Sequence, residues 1–130
     1  HISDVVLQIA LNKQFSTTQL MQMYDALQTQ LNQTTHSYIF NEGERIARAV
    51  LYGLVNENLP ATYWQRWFQS ITNPAPYKSW REIYQDPNLL IKRNNLRQFL
   101  ATLTVTVLKS QSEQLKPIKS IIVDAWQTTS

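Results

Sequence analysis

The stretch "TYWQRWFQSITNPAPYKSW", residues 62–80, holds three of the four tryptophans of the chain and decides how the fold is read. Trp64, Trp67, Phe68 and Ile71 recur at steps of three, one and three, which places them on one face of a helix. The first half of the stretch is therefore predicted to be core. The second half follows two prolines, and such a segment either seals one end of a bundle or contacts a partner.

Helical periodicity and start signals also occur along the rest of the chain. A Ser, Thr or Asn with Glu or Gln three residues later marks predicted helix starts at Ser16, Asn41, Thr62 and Ser79. Asp86 followed by Pro87 marks a further start. The predicted helices cover about residues 3–13, about 16–33, the segment from Asn41 to a break at Pro60, the segment from Thr62 to the break at "TNPAP", a short turn at 79–84, about 87–110, and the segment from Lys116 onward. The sequence thus predicts an all-α fold, a single-domain helical bundle of five to six helices over residues 1–130.

One segment of the long fifth helix allows a second interpretation. The letters "TLTVTVL", residues 102–108, alternate and are rich in β-branched side chains, which would also suit a strand. A helix is favoured because the sequence offers no second strand for pairing.

Composition narrows the class of protein. The 130 residues fit one domain, and the absence of cysteine excludes a disulfide framework and cysteine-based metal or redox sites. The net charge of +3 is mildly basic, whereas charged residues make up only 16% of the chain. The polar face is built from Gln, Asn and Thr, as in a surface covered by assembly or in a chain of biased composition. No run of apolar residues predicts a membrane span, and no signal peptide is visible. The sequence does not determine the location of the protein; a virion and the cytoplasm are the two candidates.

Residues that could carry catalysis are few. His36 lies in a polar connection, and the acids are scattered singly; Glu42 and Glu44 are better explained by the dipole at a helix start. There is no Gly-rich phosphate loop. We therefore predict no enzyme, no catalytic or metal-binding residue and no cofactor, and a small helical enzyme or ligand-binding bundle is the least favoured alternative.

The arginines are better organised than the acids. Arg45 and Arg48 are three apart on the third helix, and Arg93 and Arg97 are four apart on the fifth. With Arg66 they could form a surface that contacts the phosphates of DNA or RNA. An ordinary solvated face explains the same pattern, and no motif indicates that bases are read.

The aromatic residues after the proline break are the candidates for a protein contact. Tyr77, Trp80 and Tyr84 could flank an apolar groove that accepts a partner helix. The default interpretation, however, is that this aromatic segment closes one end of the core. On the preceding helix, Tyr63 and Arg66 are predicted to lie on a different side from the core tryptophans.

Two further stretches carry a resemblance to a known family. The aromatic and basic helix "YWQRWFQSITNP" and the proline-started final helix "LKPIKSIIVDAW" resemble, with the low charge and the lack of cysteine, the major coat proteins of archaeal filamentous viruses. The resemblance implies a helical subunit that wraps double-stranded DNA without sequence preference. It also implies that Arg45, Arg48, Arg66, Arg93 and Arg97 face phosphates.

These observations favour a non-catalytic helical protein that associates with a DNA or RNA backbone and with copies of itself. The alternative is a protein-interaction domain, of the adaptor or regulatory kind, that binds a partner helix or peptide.

Overall fold

A computed structural model describes residues 2–11, 15–33, 36–38, 41–55, 59–111 and 113–130. Its α-helices are α1 (Ile2–Leu11), α2 (Thr17–Gln33), α3 (Glu42–Val55), α4 (Ala61–Ile71), α5 (Pro87–Lys109) and α6 (Lys116–Thr128), with short 3-10 turns at Trp80–Glu82 and Glu113–Leu115. These ranges contain no strand. The predicted all-α bundle of five to six helices is confirmed. The predicted continuation of α1 to residue 13 falls outside the described residues.

The six helices form two rows. In the first row α3 contacts α1 on one side and α5 on the other, and in the second row α4 lies between α2 and α6. Contacts of α1 with α2 and of α5 with α6 join the rows at their ends. Each row buries its apolar side against the other, so the core is a layer between them.

The centre of this layer is aromatic. The rings of Tyr24 and Trp64 meet edge to face with their centroids 5.0 Å apart, and Trp67 meets Phe68 in the same way at 5.1 Å. Phe68 stacks on Phe99 of α5 with the centroids 6.4 Å apart. All five rings are buried, which confirms that the first half of the opening stretch is core.

Helix starts agree with the sequence at two places. Ser16 and Gln19 form the predicted reciprocal capping box, with the backbone N–H of each donating to the side chain of the other at 2.9 and 3.2 Å. The Asp86 side chain accepts from the N–H of Leu89 at 3.1 Å, and Pro87 is the first residue of α5.

Two other predicted caps are wrong. At the start of α4 the N-cap position is Pro60 and no side chain caps the helix, because α4 begins one residue before Thr62. At Ser79 no side-chain cap forms either. Glu82 instead accepts from the backbone N–H of Lys78 at 3.2 Å, so its carboxylate is used before the turn begins.

Residues 102–108 are helical, as predicted. The hydroxyls of Thr102 and Thr106 donate to the carbonyls of Gln98 and Thr102, at 3.2 and 2.8 Å. Threonine tolerates a helix when its hydroxyl is bonded to the preceding turn in this way. The alternating pattern of "TLTVTVL" therefore does not indicate a strand. Leu103 and Val107 are both buried because residues four apart lie on the same face of a helix.

A close approach of backbone to side chain joins α2 and α3. The Tyr24 hydroxyl donates to the carbonyl of Ala49 at 2.7 Å, and its ring lies directly against Gly53. A Cβ atom at position 53 would lie 2.5 Å from the Tyr24 hydroxyl oxygen. Only glycine lets the buried ring reach α3 at this point.

Candidate interaction surface

The five arginines predicted to contact phosphates do not lie on one surface. Arg45 and Arg48 are exposed on the outer side of α3, in the first row, whereas Arg66 is exposed on α4, in the second row. Arg93 and Arg97 lie on α5 next to the end of α6. The outer sides of the two rows point in opposite directions, so the core lies between Arg66 and the pair of arginines on α3.

Arg93 and Arg97 hold the end of α6 against α5. The Nε–H of Arg93 donates to the carbonyl of Thr129 at 2.8 Å, and Nη1 of Arg97 donates to the Thr129 hydroxyl at 3.1 Å. The Arg97 guanidinium also lies 3.8 Å from the centroid of the Trp126 ring. Cations are favourable at a helix C-terminus, so both arginines have a stabilising role within the chain.

The charge of Arg97 is less well solvated than that of a surface arginine. Partial burial lowers its pKa, and the neighbouring positive charge of Arg93 lowers the pKa further. Among the described residues neither guanidinium lies within ion-pair distance of a carboxylate.

Tyr77, Trp80 and Tyr84, the predicted protein contacts, differ in exposure. Trp80 is only 4% exposed, and its Nε1–H donates to the carbonyl of Thr72 at 2.7 Å. Tyr77 is half-buried against the core, and Tyr84 is 71% exposed. The structure therefore places Trp80 in the core, because the segment after the prolines folds back onto the C-terminal end of α4. The three side chains do not form a common surface.

The second row contains a groove that the sequence did not predict. It lies between α2 and α4 and has a volume of about 410 Å³. Both helices contribute apolar and polar side chains to the lining, which consists of Met21, Asp25, Gln28, Tyr63, Arg66, Trp67 and Ser70. The groove combines a cation, a carboxylate, amide and hydroxyl groups, and apolar surface within reach of one ligand.

Polar contacts across the groove fix its walls. The Tyr63 hydroxyl donates to Asp25 Oδ1 at 2.7 Å, and the side-chain amide of Gln28 donates to the carbonyl of Trp67 at 3.2 Å. Below them, the Trp67 indole N–H donates to the carbonyl of Tyr24 at 2.8 Å. Since these bonds run from one helix to the other, the groove keeps its shape without a ligand.

Arg66 differs from the other polar groups of the groove. Within the described part of the chain, its guanidinium has no ion pair and no hydrogen bond. Asp25 lines the same groove, but its carboxylate accepts the bond from Tyr63. The charge of Arg66 is therefore available to an anionic group of a ligand.

A second, smaller groove lies on the other side of α4, against α6. Its volume is about 170 Å³, and its lining is Gln65, Phe68, Gln69, Thr72, Ile121, Asp124, Ala125 and Thr128. The two grooves together make the outer side of the second row a surface of Gln, Thr and Ser side chains with apolar patches between the helices.

Each wall of the groove between α2 and α4 corresponds to a stripe of side chains that is visible in the sequence. Met21, Asp25, Gln28 and Asn32 follow one another at steps of four, three and four along α2, and form a stripe beside its buried leucines. Tyr63 and Arg66 do lie on the same side of α4, as predicted, but Tyr63 is buried because α2 covers it. Pairing of the two stripes is a tertiary property, so neither stripe alone indicated a groove.

The described residues bring together no three His, Asp or Glu side chains that could hold a metal ion. None of the described helices is long and apolar enough to cross a membrane.

The fold and the grooves define an all-α protein with two rows of helices and a mixed polar and apolar surface on one row. The chain belongs to the family described as "Protein of unknown function (DUF2785)", whose sequence pattern matches residues 1–105. The match covers α1 to α4 and most of α5. No curated protein and no solved structure matches the chain.

Burial of Tyr63 gives a testable dependence on alkaline pH. Burial raises the pKa of Tyr63 above its ordinary value of 10.0, and the hydrogen bond to Asp25 and the negative charge of Asp25 raise it further. The unfolded chain ionises this phenol above about pH 10 while the folded chain keeps it neutral. Stability is therefore retained below this pH and lost as the pH rises above it.

The Tyr63→Phe variant measures this contribution. We expect it to be less stable than the wild type at neutral pH, since the bond to Asp25 is lost, and to lose less stability between neutral and alkaline pH. Urea unfolding followed by circular dichroism across that range tests both expectations. The exposed Tyr84 provides the control, because Tyr84→Phe should leave the pH dependence unchanged. Equal alkaline slopes for Tyr63→Phe and the wild type would show that this phenol ionises normally in the folded chain.

Proposed function

We propose that the chain is a non-catalytic protein-interaction domain that binds a peptide or helical segment of a partner on its second row, centred on the groove between α2 and α4. The observation that carries the proposal is the charge of Arg66, which has no partner among the described residues and lies in a preformed groove. A segment with an Asp or Glu side chain would meet Arg66, and a neighbouring apolar side chain would cover the partly buried Met21.

The distribution of the arginines supports this proposal over a coat that uses all five. Arg93 and Arg97 donate to the end of α6, so a phosphate would have to compete with bonds inside the chain. Arg66 is the single arginine on α2, α4 and α6. It lies in a concave groove, which suits a side chain better than an extended phosphate backbone.

A selection from a random peptide library displayed on phage tests the proposal. Peptides enriched by the wild type should contain an acidic residue next to apolar ones, and Arg66→Ala should weaken their binding by about tenfold or more, as loss of one charged contact does. Arg45→Ala is the matched control, since Arg45 is also exposed but lies in the other row. Absence of enriched peptides, or an equal loss with Arg45→Ala, would contradict the proposal.

A second candidate function rests on Arg45 and Arg48. Both are exposed on the outer side of α3, have no ion pair among the described residues, and lie near the exposed ring of Tyr52. This face could contact a DNA or RNA backbone without reading sequence, and in an assembly it would be repeated by each copy.

Binding to a random-sequence DNA duplex and to RNA, titrated across salt, tests this second candidate. If this candidate is correct, the affinity should fall steeply as the salt concentration rises. The double variant Arg45→Ala, Arg48→Ala should make the plot of log affinity against log salt concentration less steep, by the amount expected for the loss of about two phosphate contacts. Arg66→Ala should have no such effect, because it lies in the other row. No binding at low salt would remove nucleic acid as a partner.

A further inference from the structure

In the first row, α3 lies between α1 and α5, and each of these outer helices has a neighbour within the row on one side only. α1 also contacts α2, and α5 also contacts α6, so the side of each outer helix that has no neighbouring helix is the one that points away from α3. Large apolar side chains are exposed at both ends: Val5 and Leu11 on α1, and Leu90, Val105 and Leu108 on α5. Val105 and Leu108 are 51% and 62% exposed, although the neighbouring Leu103 and Val107 are buried.

The exposed apolar residues of α5 form a stripe. Leu90, Val105 and Leu108, together with the half-buried Ala101, fall within about a sixth of the helix circumference at 100° per residue. The exposed Asn94 lies among them, and Arg97 lies at one edge. The side that faces α3 is different, and carries Thr102 and Thr106. The stripe is thus a second apolar side of α5, in addition to the sides already packed on α3 and α6.

α1, the outer helix at the other end of the row, is also mostly apolar and carries a negative charge. Its sequence ISDVVLQIAL is apolar nearly all round, a pattern typical of helices that are covered on every side. Its only charged residue is Asp4, which is exposed and has no ion pair among the described residues. At the other end, the last turn of α5 carries the exposed Lys109, which likewise has no ion pair there.

We propose that copies of this chain associate head to tail, with α1 of one copy packing against the open side of α5 of the next. This contact would continue the α1, α3, α5 row from one molecule into the next, covering Val105 and Leu108 and bringing Asp4 near Lys109. Pairing of like ends would place Asp4 against Asp4, or Lys109 against Lys109, which is unfavourable. A contact between unlike ends does not consume both ends of a molecule, so assembly grows with concentration.

Mixing two variants tests the head-to-tail arrangement. Leu108→Lys disables the α5 end, and Val5→Lys disables the α1 end. In light scattering after size-exclusion chromatography, the wild type should grow in mass with concentration, each variant alone should be a monomer, and an equal mixture should form a dimer because each molecule retains one working end. Tyr84→Lys, an equally drastic change at an exposed aromatic outside both ends, should associate like the wild type.

Charge reversal tests the pairing of Asp4 with Lys109. Asp4→Lys and Lys109→Glu should each weaken association, and the double variant should restore it, because the charges are then exchanged between the ends. A wild type that is monomeric at every concentration, or a mixture of Leu108→Lys and Val5→Lys that stays monomeric, would overturn the proposal. So would a single end variant that associates like the wild type.

This inference is independent of the proposed peptide groove. Arg66→Ala should leave association unchanged, and Leu108→Lys should leave peptide binding unchanged, so failure of either proposal can be recognised separately.

Discussion

Replacing Trp80 with alanine should lower the free energy of unfolding by about 3–5 kcal/mol, the usual cost of deleting a buried tryptophan side chain. The ring is 4% exposed, and its N–H is bonded to the Thr72 carbonyl at the end of α4. Alanine would leave a cavity and remove the donor from that carbonyl. Nζ of Lys92 lies 6.0 Å from the centroid of the ring and would lose this contact as well.

Denaturant unfolding followed by circular dichroism measures the effect. Tyr84→Ala is the control, since a 71% exposed side chain should change stability by no more than about 0.5 kcal/mol. Trp80→Phe separates packing from the hydrogen bond, because it keeps most of the volume but loses the N–H. If Trp80→Ala were as stable as Tyr84→Ala, Trp80 would belong to a contact surface and not to the core.

Replacing Gly53 with alanine should lower the free energy of unfolding by about 1–3 kcal/mol. The new Cβ would lie 2.5 Å from the Tyr24 hydroxyl oxygen and 2.6 Å from its Cζ, so the ring or α3 must move. Overpacking of this kind costs about 1–3 kcal/mol, and loss of the bond from Tyr24 to Ala49 adds about 1 kcal/mol. The higher helix propensity of alanine returns about 1 kcal/mol.

Gly43→Ala is the matched control, since it makes the same change in the same helix. Its Cβ would be 3.2 Å from the Gln98 Cβ and the Phe99 nitrogen, a tight contact but a smaller overlap than at position 53. In urea unfolding, the free energy of unfolding of Gly53→Ala should therefore be well below that of Gly43→Ala. In a Tyr24→Leu background the penalty at Gly53 should shrink, as expected for residues in direct contact. Stability equal to that of the wild type for Gly53→Ala would contradict the close approach.

Most of the secondary structure could be predicted because its signals are local. Apolar residues at helical spacing, the capping box at Ser16 and the Asp86 cap act within a few residues of chain, and the helices lie close to their predicted positions. The cap predicted at Thr62 fails for an equally local reason. Pro60 takes the N-cap position, so Thr62 lies inside the first turn of α4, and the N–H groups of Tyr63 and Trp64 are already bonded to the Pro60 carbonyl.

The candidate sites could be predicted only in part. The exposure of Arg45, Arg48 and Arg66 agrees with a role at a surface. The sequence grouped them with Arg93 and Arg97, whose shared hydrogen-bond partner, Thr129, follows α6 and is more than thirty residues away. The sequence left undecided whether Trp80 lies in the core or on a contact surface, because its burial depends on the chain folding back onto Thr72.

The sequence by itself determined that the chain is helical, roughly where its helices lie, and which side of each helix is apolar, because backbone hydrogen bonding and side-chain spacing are properties of short segments. Tertiary structure alone decided which helices are neighbours. That choice assembled the groove from separate stripes on α2 and α4, bound two arginines to the end of α6 and left both ends of the first row open. It depends on the summed packing of all six apolar faces, a quantity that no single segment contains.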